Sequence, residues 1–154
     1  MPCTLKTETG GQQNINGGRR RMIYNEINFE ASPFQYHLKY LSRITIVRGD
    51  NATGKTHLFA LLEDLKLTET YQKIQLFNYK SEKFHESLAD CRGNFIVVDN
   101  ADILLNEEDR RFINFEKSNQ YMLFLRNCDG INLLRDSFAV LQEDEGKISL
   151  KREW

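Results

Sequence analysis

Eight consecutive residues, Gly49-Asp50-Asn51-Ala52-Thr53-Gly54-Lys55-Thr56, have the types and spacing for chemistry on a polyphosphate. They satisfy G-x-x-x-x-G-K-[ST] at every fixed position. The glycines let the backbone turn tightly and approach an anion, so that the N–H groups from Asp50 to Lys55 converge on it at the start of a helix. Lys55 would reach the outer phosphates. Thr56 would set its hydroxyl on a magnesium ion bridging two of them.

Such a loop works only between the right elements. Ile44-Thr45-Ile46-Val47 reads as a buried strand just before it, and Leu58, Leu61, Leu62 and Leu65 follow at helical spacing just after it. A second chemical residue stands at the end of the clearest strand in the chain, Asn94-Phe95-Ile96-Val97-Val98-Asp99. The apolar residues suit the interior of a sheet. Asp99 would then emerge at the edge where ligands bind in open α/β sheets, within reach of the magnesium directly or through water.

The remaining segments supply a scaffold. Residues 23–29 and 36–40 suit strands separated by a turn at Ser32-Pro33, and Lys73 to Phe77 suits another. A helix is expected from near Ser81 to before Gly93, and Asn106 is placed to cap one carrying Glu107, Glu108 and Asp109 in its first turn. Tyr121 to Leu125 is a short apolar run. Phe138 to Gln142 and Lys147 to Leu150 flank Glu143-Asp144-Glu145-Gly146 as a hairpin. Strands alternating with helices predict an α/β fold, a mainly parallel sheet flanked by helices with a C-terminal β-hairpin.

Composition narrows the class. The 154 residues, 40% hydrophobic and 11% aromatic, suit one globular domain over 22–154, with residues 1–21 expected to be a disordered tail. Arg19-Arg20-Arg21 in that stretch offers nucleic acid a short basic arm, against a net charge of −1 that favours no polyanion. Cys3, Cys91 and Cys128, with three scattered histidines, spell neither a disulfide framework nor a zinc site. No apolar run reaches membrane-spanning length, so the cytoplasm is the expected compartment and no membrane is an expected partner.

With both motifs in place, the chain resembles the P-loop NTPases, carrying a Walker A motif at Gly49 to Thr56 and a Walker B motif at Phe95 to Asp99. Gly49-Asp50-Asn51 before Gly54-Lys55-Thr56 is similar to loops of the ABC, SMC and AAA-type ATPases. The likeness spans roughly Ile44 to Leu125. It implies ATP and Mg2+ as ligands and a nucleotide-binding α/β core of the P-loop NTPase fold. It also implies that the backbone of His57 lies by the inner phosphate. A polar residue is implied at the tip of the strand after the acidic one, where Arg126-Asn127 stands. Either contacts a phosphate or the attacking water, or merely ends the strand in solvent.

The chain also departs from that family. A glutamate that orients water commonly follows the acidic aspartate, whereas here Asn100 does, and an amide cannot accept a proton. Asp102 is the nearest substitute, with Glu107 and Glu108 further along. Ala52 replaces a frequent glycine. Thr9-Gly10-Gly11-Gln12-Gln13 has the letters of the ABC signature loop but precedes the phosphate loop, so no usable signature is expected.

Three readings follow. The first is a slow Mg-dependent ATPase using Lys55, Asp102 and Arg126. A protein partner or a second copy would complete that site and speed turnover; the second reading is a regulatory or interaction module in which ATP orders a surface and there is little hydrolysis. The third is a small-molecule kinase, for which Arg110-Arg111 is the adjacent basic pair.

Overall fold

The computed structural model describes residues 5–7, 22–49 and 54–152. Asp50, Asn51, Ala52 and Thr53 of the glycine loop therefore lie outside the described residues. So do the Arg19-Arg20-Arg21 run and the rest of the expected tail except Leu5–Thr7. In chain order the strands are β1 (Leu5–Thr7), β2 (Glu26–Ala31), β3 (Phe34–Lys39), β4 (Ile44–Arg48), β5 (Ile74–Phe77), β6 (Phe95–Val98), β7 (Gln120–Phe124), β8 (Phe138–Asp144) and β9 (Lys147–Arg152). The helices are α1 (Lys55–Leu65) after β4, α2 (Phe84–Ala89) after β5, then α3 (Ala101–Leu104) and α4 (Glu107–Phe115) after β6.

Among the described residues the strands form one nine-stranded sheet in the order β1-β2-β3-β9-β8-β4-β7-β6-β5. This corrects the expected architecture: the chain does not build a mainly parallel, helix-flanked α/β sheet of the P-loop NTPase type. The sheet is mixed and curled, strands dominate, and the helices are few and short. The reason lies in the connections. The tight turn at Ser32-Pro33 forces β2 and β3 to pair antiparallel, Glu145-Gly146 does the same for β8 and β9, and β1 adds antiparallel to β2. The expected C-terminal hairpin forms as β8 and β9. It sits inside the sheet, β9 parallel to β3 and β8 parallel to β4.

The run β8-β4-β7-β6-β5 is parallel throughout. Both faces of its inner strands are covered, and β6 and β7 read as unbroken buried runs. On one face Val47, Phe95, Val97, Met122 and Phe124 meet Leu58, Leu61, Leu62 and Leu65 of α1. Ile27, Phe29, Tyr36 and Leu38 of β2 and β3 join the same cluster, so the sheet curls around α1. The Phe95 ring touches both Tyr24 and Tyr40, centroids 5.7 and 5.0 Å away. On the other face Ile46, Ile96, Val98, Tyr121 and Leu123 pack under α2, α3 and α4. That second cover stops at β8. Beyond it Gln35, His37 and Lys39 of β3 stand exposed.

Candidate functional site

Parallel strands direct their carboxyl ends to one edge, and β4, β7 and β6 are consecutive neighbours. Gly49, Arg126 and Asp99 therefore follow strands that finish on the same side of the sheet. The register puts Val98 and Ile46 both opposite Leu123, so Asp99 is level with Val47. At about 4.8 Å per strand, the ends of β4 and β6 lie roughly 10 Å apart. That gap suits a hydrated ion with its phosphates rather than a direct side-chain contact.

Gly49 leaves β4 with φ 128° and Gly54 enters α1 with φ 83°, both conformations that only glycine adopts cheaply. A Cβ at Gly54 would meet no atom within 4 Å, so the requirement there is conformational, not spatial. Gly54 is the N-cap of α1 and has no side chain to satisfy the first-turn N–H groups; that turn also lacks an acidic residue. The N–H groups of a helix's first turn and the positive end of its dipole make such an end attractive to an anion. The Lys55 ammonium turns back across the loop and donates to the Gly49 carbonyl at 2.6 Å. Lys55 thus links the start of α1 to the end of β4. Thr56 and His57 are exposed on the following turn.

At the end of β6 the Asp99 N–H donates to the Phe77 carbonyl at 2.9 Å, holding the acid against β5. Asp99 Oδ1 accepts the Asn100 N–H at 3.0 Å. Asn100 then turns the chain through a left-handed residue, φ 51°, into α3. The carboxylate of Asp99 and the hydroxyl of Thr56 are hard oxygen donors of the kind magnesium takes.

The segment after β7 is held by side chains from other elements. The Asp102 carboxylate accepts the Arg126 N–H at 2.9 and 3.1 Å and the Asn127 N–H at 2.7 Å. Arg110 Nη1 donates to the carbonyls of Asn127 and Asp129 at 2.8 and 2.7 Å. Buried Asn114 donates to the Gly130 carbonyl and accepts the Asn132 N–H, each at 2.7 Å. The arginine considered as half of a kinase lid is thus engaged with main chain. Arg111 is exposed beside it, as are Glu107 and Glu108 on the first turn of α4.

Helix α4 is itself well anchored. Asn106 accepts the Asp109 N–H at 2.8 Å while Asp109 Oδ2 accepts the Asn106 N–H at 3.0 Å, closing a capping box. The same buried oxygen contacts His85 Nδ1 of α2 at 2.6 Å. At the helix's other end the Arg43 guanidinium donates to the Ile113 and Glu116 carbonyls.

Sequence reasoning missed Arg48 and Asn114 as parts of this edge, and it singled out Arg110 only as half of a basic pair, not for its main-chain contacts. Arg48 ends β4, with its guanidinium 4.3 Å from the centre of the Phe138 ring and 3.8 Å from Cys128 Sγ. A charge terminating a buried strand next to a glycine loop was the available signal. Nothing local marks Arg110 or Asn114, whose partners lie 16 to 19 positions along the chain. Among the described residues no helix is long and apolar enough to cross a membrane. The chain matches no protein-family model and no curated protein sequence.

Proposed function

We propose that the protein is a cytoplasmic, ATP-binding P-loop protein that turns ATP over slowly with magnesium. The observation that carries this reading is the Lys55 ammonium folded onto the Gly49 carbonyl, between two glycines of positive φ and ahead of a helix start without a side-chain cap. An ammonium held by a single carbonyl beside a helix start is an arrangement an incoming phosphate can take over by replacing that carbonyl. Lys55, Thr56 and the first amides of α1 hold the phosphates, with Asp99 offering a second oxygen to the metal. Magnesium, when bound, neutralises charge on the phosphates. Positioning and charge stabilisation supply most of the catalysis in phosphoryl transfer, so even this partial set supports some turnover.

Titration calorimetry of the full chain with MgATP tests the reading. Wild type is expected to bind and Lys55→Ala to lose binding; micromolar affinity retained without the ammonium would reject the assignment.

A second reading, a nucleotide-dependent regulatory module with little hydrolysis, is favoured by one observation. Asp102, the residue nearest in sequence to replace the missing water-activating glutamate, already accepts two backbone amides. A single-turnover assay separates the two, because a module that only switches releases no phosphate on the timescale of its nucleotide exchange.

A further inference from the structure

We infer that Asp102 is a positioning residue: by accepting the Arg126 and Asn127 amides it fixes the end of β7 against the end of β6, and so sets where Arg126 stands relative to the terminal phosphate. The inference rests on the nucleotide reading above and assigns Asp102 a role other than proton acceptor.

The geometry that carries it is a short mechanical link. Ala101, fully buried, anchors α3 under the sheet. Helix α3 starts directly from the Asp99-Asn100 turn, with Ile103 and Leu104 N–H groups both donating to the Asn100 carbonyl. Three residues after Asp99, the Asp102 carboxylate takes the first two amides beyond Leu125, both oxygens serving Arg126. Bonds from N–H to a carboxylate are shorter and about twice as strong as neutral ones, so this link resists slack. The carbonyl side of the same segment is gripped by Arg110. These contacts tie the start of α3, three residues after Asp99, to the backbone of Arg126. Two N–H donors on the carboxylate stabilise its ionised form, which makes Asp102 a weaker proton acceptor than a free carboxylate.

The test uses the full chain and compares wild type with Arg126→Ala, Asp102→Ala, Asp102→Asn and the Asp102→Ala/Arg126→Ala double variant. Dissociation constants for MgATP and MgADP are measured together with melting temperature. Loss of one charged contact to the terminal phosphate should lower the ATP-over-ADP preference about tenfold in Arg126→Ala. Asp102→Ala should match it, the double variant should be no worse than either single one, and Asp102→Asn, whose amide oxygen still accepts, should keep most of the preference. Multiplying effects in the double variant would overturn the inference. So would an unchanged preference in Asp102→Ala, or hydrolysis lost in Asp102→Asn with the preference intact. Should Asp102→Ala fail to fold, Arg110→Ala frees the same segment from its other side; a preference within twofold of wild type there counts against the inference. A wild type that binds neither nucleotide rejects the nucleotide reading and this inference together, whereas Lys55-dependent binding with uncoupled Asp102 and Arg126 rejects the inference alone.

Discussion

The two halves of the sheet obey different rules. In β2 and β3 buried residues alternate with partly or fully exposed ones, because α1 and its cluster cover one face and no element covers the other among the described residues. In β6 and β7 every residue is buried, since helices cover both faces. The candidate chemistry sits wholly on the second half, where parallel strands bring three separate segments to one edge. An antiparallel pair returns each strand to its neighbour's start and delivers at most a turn there. The parallel half thus positions the candidate residues, while the antiparallel half forms a wall for α1, the helix that follows the glycine loop.

The largest effect is expected where the halves touch. Phe95→Ala removes a fully buried ring lying against Tyr24 and Tyr40, and should cost about 3 to 5 kcal/mol in chemical denaturation. A cost near 1 kcal/mol would mean that the two halves rest on each other only loosely. Next, Lys55→Ala should weaken MgATP at least a hundredfold, about 2.7 kcal/mol, with the melting temperature unchanged. If stability fell instead, the Gly49 contact would be structural first and a ligand's place second.

A pH scan sharpens the contrast further. Burial pushes the Tyr121 hydroxyl up to about 12 from the ordinary 10.0, only partly offset by the hydrogen bond from Asn119, and burial raises Tyr40 as well. A raised folded value means the stabilisation is intact below pH 10 and drains away as pH climbs toward 12. Each such group contributes a slope of about 1.4 kcal/mol per pH unit in that window. Tyr121→Phe should flatten the fall of melting temperature above pH 10; an unaltered profile would show that the parallel half is wetter than its burial implies. Asn106→Ala, which opens the capping box of α4, should cost about 1 kcal/mol. The smallest effect belongs to the open face, where Lys151→Ala should stay within about 0.5 kcal/mol of wild type.

Legibility followed the same division. The strand ending in Asp99, the helix after Gly54 and the cap at Asn106 were readable because each rests on neighbours within a few residues: an apolar run, a 3.6-residue period, a side chain reaching its own helix. The α2 helix begins only at Phe84, later than expected near Ser81, since Lys83 occupies a left-handed conformation that no local pattern announces. Strand direction was the chief failure. The segments flanking Ser32-Pro33 are readable as strands, yet the pairing of β3 with β9 depends on residues more than a hundred positions away. The role of Asp102 was hidden likewise, because its partners lie 24 and 25 residues further on.

The place of β9 carries a consequence for assembly. Among the described residues its sheet neighbours are β3, with which Gln35 faces Lys147, and β8, so the hydrogen-bonded path from β1, β2 and β3 to the edge carrying Gly49 and Asp99 runs through residues 138–152. During synthesis the strands near the beginning must wait for that late hairpin before their ladder can be joined to the rest. Such long-range closure belongs to the slow end of folding rates, and it leaves the β3 edge exposed to strangers on the ribosome in the interval.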